Sequence, residues 1–406
     1  MENILKCGMM NILHVQRRCA LMDQKVFSER DKQAMRVAWL TAQGWKQEAI
    51  QAMLNLKGQS EVSRLLSHAR TEKWIRDELD LPKKPKELIG EIQIQSIKKI
   101  RNLLAALNQV AGQKSDVKEG KGGLVRSVHV AYSGPPNTTE EQRIEAFGER
   151  ASIRVLELLA RATTCGVAWG RTIKSIVSGI QARHPSPRPE LLFLAVSGDP
   201  MNHRDAGYSS SAAAEALGKC FGCKKTRLLQ GIASRFPKRL QKDEKAIRAF
   251  LDFCDDYHRV FGGNNPEIAD VSAILSGIGD ATSSQKDPWF LETQRAEEMS
   301  AEKLNELAIG NLGGVWIERD SKAEGIVAKV NSRWLGIQKG NFLDAAKRAT
   351  KADEGHPGPI VLGVGQSKAE VVLAALGMIS HLIIDHTLCD RLCEKLNVKE
   401  EDPKNT

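Results

Sequence analysis

From Asp31 the chain reads DKQAMRVAWLTAQGWKQEAIQAMLNLKGQSEVSRLLSHARTEKWI. Apolar residues fall at Met35, Ala38 and Trp39, then at Ile50, Met53 and Leu54, then at Val62, Leu65, Leu66 and Ala69. Each set has three-to-four spacing, which predicts three amphipathic helices. Gln43-Gly44 separates the first from the second, and Asn55-Leu56-Lys57-Gly58 the second from the third, with Ser60 placed to cap the third. Two short helices across a tight turn, with another packed behind, is the helix-turn-helix plan. A plain three-helix bundle would carry the same pattern.

The pattern then changes twice. Residues 77–123 open on DELDLPKKPKE, continue through LIGEIQIQSIKKIRNLLAALNQV, and end in the polar GQKSDVKEGKGG. The middle stretch puts Ile92, Ile97, Ile100, Leu103, Leu104 and Leu107 on one face, which predicts a domain-docking or dimerising helix. From Leu124 onward short apolar runs alternate with helical stretches. VRSVHVAY, CGVAW, ELLFLAVSG, ADVSAILSGIGD, GPIVLGVG and ISHLIID read as strands. EEQRIEAFGERASIRVLELLARAT, RTIKSIVSGI, SSSAAAEALG, QSKAEVVLAALG and HTLCDRLCEKL read as helices. Such alternation predicts βαβ units and a mostly parallel sheet. The expected plan is a leader over 1–30, an all-α helix-turn-helix domain over 31–76, a linker over 77–123 and an α/β domain over 124–398.

Charge sharpens this division. The formal net charge is +9, yet residues 1–123 hold 22 Lys/Arg against 14 Asp/Glu, and the remainder 37 against 36. A basic N-terminal module on a nearly neutral body suits a polyanion such as DNA. On the third helix Gln59, Ser60, Glu61, Ser63, Arg64 and His68 would face that partner; Arg64 suits bidentate contact to guanine, and Ser and Gln suit base edges or phosphates. Eight cysteines in 406 residues are too sparse for a disulfide scaffold. Cys220-Phe-Gly-Cys223 has redox or zinc spacing but no second pair, and Cys389 and Cys393 share a helix face, so structural thiols are expected and no metal. No apolar run approaches the roughly 20 residues of a membrane span, and the first 25 residues lack a signal-peptide core; the expectation is a cytoplasmic protein with no membrane partner. Met9, Met10 and Met22 offer alternative starts.

Parallel sheets bind ligands in the loops after their strands. Those loops hold Gly170, Arg171 and Thr172; Ser197, Gly198 and Asp199; Ser276, Gly277, Gly279 and Asp280; Gly365, Gln366, Ser367 and Lys368; and Asp385. Glycines admit a ligand to the backbone, and helix N-termini with Arg171 and Lys368 make a phosphate-type anion site. Asp280 and Asp385 are acceptors suited to sugar hydroxyls. The TTCGVAWGRTIKSI stretch is then a place where the chain touches a ligand. No nucleophile elbow, HExxH or Walker lysine is present, so no catalytic residues are assigned and no cofactor is expected.

The order of parts resembles the sugar-binding transcriptional regulators of the SorC (sorbitol-operon) family over roughly residues 31–396. GVAWGRTI stands where the family has Gly-Val-Gly-Trp-Gly-x-Thr, and LSGIGD where it has Val-Gly-Ile-Gly-Asp. LAIGNLGGVWIERD resembles its Ala-Val-Gly-Asp-Ile-x-Gly run with Asn311 in the Asp position, and VLGVGQSKAEVVLAAL and SHLIIDHTLCDRL match its closing βα units. The resemblance implies an effector domain like the sugar-phosphate isomerases of the glucosamine-6-phosphate type, joined to operator-binding helices. It implies a small phosphorylated sugar as effector and paired copies, a homodimer or homotetramer. Arg171 and Thr172 fall in the family's phosphate loop, Ser209 and Ser211 among its polar ligand contacts, Asp280 on sugar hydroxyls and Lys368 on the other anionic end. Three departures stand out: Lys57-Gly58 where one Ser is common, Gln51 in place of a small residue, and Ser211 where Asn is usual. The rival readings are a sugar-phosphate isomerase with an accessory N-terminal domain, and a DNA-binding protein whose pocket has lost its ligand.

Overall fold

The computed structural model describes residues 27–42, 47, 50–51, 54–72, 90–134, 138–200, 209–282, 287–351 and 355–398. The chain divides into two units, the second beginning at Lys99.

In the first unit, helix α1 (Glu29–Ala42) and helix α2 (Gln59–Thr71) pack together: the expected Met35 and Ala38, with Val37, meet the expected Val62, Leu65, Leu66 and Ala69, and the Trp39 side chain lies outside the described ones. Ser28 caps α1 reciprocally. The Asp31 N–H donates to Ser28 Oγ at 3.2 Å, and the Ser28 N–H returns to Asp31 Oδ2 at 3.0 Å. The leader expected over 1–30 therefore gives way to helix at Glu29; its first 26 residues lie outside the described ones. Of the predicted second helix, Gln47, Ile50 and Gln51 are helical; Gln43-Gly44 and Met53 lie outside the described residues. Asn55 turns the chain at φ 50°, a left-handed conformation Asn tolerates. Gly58, not Ser60, occupies the cap position of α2, with no side-chain cap, so Ser60 lies in the first turn.

The linker helix is longer than a linker needs. Helix α3 (Gly90–Ala111) carries Leu103, Leu107 and Ala111, which are fully buried against the sheet of the second unit, and Asn108 brackets Val125 with Nδ2 to its carbonyl (2.9 Å) and Oδ1 from its N–H (2.8 Å). Of the sticky face expected from sequence, Ile100, Leu103, Leu104 and Leu107 pack within the second unit, which starts about 25 residues before Leu124; the side chains of Ile92 and Ile97 lie outside the described ones.

The second unit is a sheet of nine strands: β1 (Ser127–Ala131), β2 (Thr164–Val167), β3 (Leu192–Ala195), β4 (Thr226–Arg227), β5 (Ala273–Asp280), β6 (Ala308–Leu312), β7 (Val315–Glu318), β8 (Gly358–Gly363) and β9 (His381–Asp385). Its order is β1-β9-β8-β5-β2-β3-β4, all parallel, with β6 and β7 added antiparallel to the end of β5. This is the expected α/β domain with a mostly parallel sheet, preceded by all-α structure. Strand residues alternate between two cores. Leu194, Ile274, Val361 and Leu382 face one side with α3, helix Lys339–Lys351 and helix Ala369–Ala374. Phe193, Leu275, Ile360 and Ile383 face the other with helix α4 (Glu140–Leu159), helix α5 (Arg171–Gln181) and helix α6 (Ser210–Cys220). Burial on both faces explains why the strands read as unbroken apolar runs.

One expectation changes inside the sheet. Gly277 and Gly279 are not in a turn: β5 runs on to Asp280 because Ile278, Gly279 and Asp280 pair with Leu312, Asn311 and Gly310 of the β6–β7 hairpin. The hairpin turns at Gly313-Gly314, both at positive φ (55° and 90°), the geometry a two-residue connection requires.

Candidate functional site

Chain order reverses across β2 and β5. From β2 the chain moves to β3 and β4 on one side; from β5 it moves to β8 and β9 on the other. A crevice forms at the C-terminal ends of strands where such a reversal occurs. A cavity of about 350 Å³ lies there, lined by Trp169, Gly170, Arg171 and Thr172 after β2, Gly277, Ile278 and Gly279 of β5, Asn311 and Gly313 of the hairpin, and Glu140, Ile144, Asp287, Val364 and Lys368.

Each wall has a local cause. Gly170 sits at φ 122° and starts α5 with no side-chain cap, so no side chain of its own competes for the helix N-terminus. A helix N-terminus concentrates about half a positive charge there. Arg171 pairs with Glu140 at 2.8 Å, both about half exposed. Such a pair contributes at most about 1 kcal/mol, so the guanidinium is cheaply redirected to another anion. Lys368 is different. It pairs with Asp280, and both are largely buried; Asp280 also accepts from Ser367 Oγ (3.0 Å) and Thr282 Oγ1 (2.7 Å). Asp287 caps helix α7 (Pro288–Glu297), its Oδ1 accepting the Trp289 (2.9 Å) and Phe290 (3.3 Å) N–H groups. Burial pushes its carboxyl up, against those hydrogen bonds and the nearby Arg171 and Lys368.

In the first unit, Gln59, Ser60, Ser63 and Arg64 are exposed along α2, with Ser67 and Arg70 continuing the row. Arg64 Nε rests on the Ser60 carbonyl at 3.1 Å. His68 leaves this face. Its Nε2 is 2.7 Å from Asp31 Oδ1, and this bond, with Ser28, holds the Asp31 carboxyl down at about 2. His68, expected to face DNA bases, here ties α2 to α1.

Among solved structures, the chain is similar to a transcriptional regulator from Streptococcus pneumoniae TIGR4 at 17% identity, over 71% of this chain and 96% of that one, with a TM-score of 0.50. The chain has the fold of that regulator. It also matches the full-length sorbitol operon regulator SorC from Klebsiella pneumoniae at 16% identity, over 90% of this chain and 99% of that one, with a TM-score of 0.49. A probable sor operon regulator from Shigella flexneri matches at 15% identity, over 69% and 97%, with a TM-score of 0.47. No family model and no curated protein matches the sequence.

Of the residues picked from sequence, Gly170, Arg171, Thr172, Gly279 and Lys368 line the cavity together. Asp280 stands behind Lys368, 3% exposed, as its counter-ion and not as a wall of the cavity. Four others belong to the scaffold. Gly198 is glycine because a Cβ there would lie 2.3 Å from the Ile232 carbonyl, and its own carbonyl accepts from Trp289 Nε1. Ser209 caps α6, accepting the Ala212 N–H at 3.1 Å. Ser211 is buried, its hydroxyl accepting the Leu229 N–H at 2.9 Å. Asp385 is fully buried with both oxygens engaged: Oδ1 accepts from Gly365 and Leu388 N–H, and Oδ2 from Ser133 and Thr387 hydroxyls. It fastens two loops. The GDPMNHRDAGY loop falls largely outside the described residues.

Two charged cavity residues went unassigned in the sequence, Asp287 and Glu140. Asp287 was findable as a helix start, since Asp followed by Pro288 is a cap with proline at the first helical position. Glu140 reaches the cavity only because α4 packs beside α5, and no local signal marks it. Among the described residues no group of three or more His, Cys, Asp or Glu could hold a metal ion, and Cys165, Cys220, Cys223, Cys254, Cys389 and Cys393 form no disulfide. No described helix is long and apolar enough to cross a membrane.

Proposed function

We propose that this chain is a SorC-type transcriptional regulator, in which α2 reads operator DNA and the cavity binds a small phosphorylated sugar that sets DNA affinity. The observation that carries this is the position of the cavity at the chain reversal between β2 and β5, with the uncapped N-terminus of α5 and Arg171 on one wall. A phosphate there would exchange the weak Glu140 contact of Arg171 for a charge-assisted one. The carboxylate of Asp287 and the amide of Asn311 supply acceptors and donors for hydroxyls. The Lys368–Asp280 pair is costlier to break, so Lys368 would add its charge to the cavity while keeping that partner. Paired copies would set two α2 helices against half-sites about 34 Å apart, or a multiple of that.

Thermal unfolding in the presence of sugar phosphates, with their free sugars as controls, tests the sensor half. One phosphate ester at about 100-fold above its dissociation constant stabilises by roughly 2.7 kcal/mol. Lys368→Ala is expected to weaken the phosphorylated ligand and not its unphosphorylated analogue. No shift with any ester refutes the sugar-phosphate assignment. Selection of bound duplexes from a random pool tests the DNA half, and recovery of no preferred sequence refutes it.

Asp287 favours a second reading. A buried carboxyl with a raised pKa inside a sugar-sized cavity is the property of a proton-transfer residue in an isomerase. Its commitment to two backbone N–H groups of α7 argues for a cap. Turnover of a bound sugar phosphate, lost in Asp287→Asn, would establish the enzyme.

A further inference from the structure

Trp169 and Asn311 line a second, much smaller cavity of about 10 Å³, whose other walls include Arg235, Trp289, Thr293 and Trp334. Arg235 is 1% exposed and lies over the Trp334 ring, 5.6 Å from its centroid. Its Nη1 donates to Glu297 Oε1 (3.2 Å) and to the Val330 carbonyl (3.3 Å). Glu297 is already gripped through both oxygens by Arg333. Among the described residues, Arg235 Nε and Nη2 have no acceptor, and neither does Trp334 Nε1. Guanidinium and indole nitrogens are donors only, so these groups cannot satisfy one another. Arg235 and Trp334 both line the recess, so an acceptor seated there would be a partner for these donors.

Charge and size restrict what that acceptor is. Arg235 and Arg333 are already balanced by Glu297 and the nearby buried Glu292. A volume of about 10 Å³ admits one water-sized atom. We propose that the recess is a subsite for a single uncharged oxygen, a hydroxyl or carbonyl at the end of the effector remote from its phosphate. Trp169, stacked on Trp289 at 4.9 Å, forms the partition between this subsite and the main cavity. The inference rests on the reading of that cavity as a sugar-phosphate site, and it selects ligands long enough to pass the partition.

The test uses the full chain and a series of phosphate monoesters of three, five and six carbons, measured by calorimetry. Thr293 lines the recess and not the main cavity, and Thr293→Met fills the recess from its far wall. The expected result is a loss of at least 10-fold for the tightest long-chain ester, with the three-carbon ester changed less than 2-fold. Deoxy analogues of that ester, tested on the unaltered protein, are expected to reveal one remote oxygen whose removal costs 10-fold or more. Equal losses for all esters in Thr293→Met, or no sensitive remote oxygen in the deoxy series, overturns the subsite and leaves the cavity reading standing. If no ester binds the unaltered protein, both fall together. Should Thr293→Met fail to fold, the deoxy series alone decides.

Discussion

His381 makes the stability of the α/β unit sensitive to mild acid. It begins β9 beside Ser127 of β1, is 7% exposed, and its Nδ1 lies 2.7 Å from Ser127 Oγ. Burial, reinforced by Arg154, Arg126 and Arg161, pushes its pKa down from 6.5 to about 4, against a hydrogen bond to the Pro357 backbone. The unfolded chain therefore binds a proton near pH 6.5 that the folded chain refuses until about pH 4. Between those values the unfolded state holds more protons, so stability rises with pH and is lost as pH falls. The window of about 2.5 units, at about 1.4 kcal/mol each, corresponds to roughly 3 kcal/mol. Urea unfolding followed by tryptophan fluorescence at pH 7, 6, 5 and 4 measures it, with His381→Gln as the reference that cannot titrate. Wild type should lose about 3 kcal/mol more than the variant between pH 7 and 4. Parallel pH profiles for the two proteins would refute the reasoning, as would an imidazole titration near 6.5 by NMR.

Other consequences concern the site. Asp280→Asn removes the internal anion held by Lys368; it is expected to tighten a phosphate ester about 10-fold in calorimetry, and weaker binding would return Asp280 to a role on the ligand. Ser210→Ala should destabilise the α/β unit by about 2–4 kcal/mol, because the buried hydroxyl donates to the Val167 carbonyl (2.5 Å) and accepts the Val196 (2.8 Å) and Ser197 (3.3 Å) N–H groups. A change below about 1 kcal/mol in urea unfolding would mean that the three groups find other partners. Arg64→Ala should reduce specific DNA affinity by about 10- to 100-fold in fluorescence anisotropy and leave sugar binding intact; loss of both would indicate misfolding.

The amino-acid pattern alone determined the alternation of strands and helices and the glycine-bearing loops after β2 and β8. These follow from local spacing: a strand buried on both faces must be apolar throughout, and an amphipathic helix must repeat every three to four residues. The conformational demands at Gly170 and Gly313-Gly314 are local too, and Gly170, Arg171 and Thr172 were legible as a loop at a strand end for that reason.

Tertiary structure decided which polar loop residues point inward and which bind the scaffold. Asp385, Ser211 and Gly198 share the composition of a ligand loop, but their hydrogen bonds or close approaches join segments remote in sequence. The same is true of His68, whose partner Asp31 lies 37 positions away. Glu140 and Asp287 entered the cavity only through the packing of α4 on α5 and the placement of α7. Arg235, Glu297 and Arg333 are ordinary charged residues in the sequence, and folding alone buries them together. A side chain's spacing along an element records its need to be buried; which partner meets it depends on how distant elements pack.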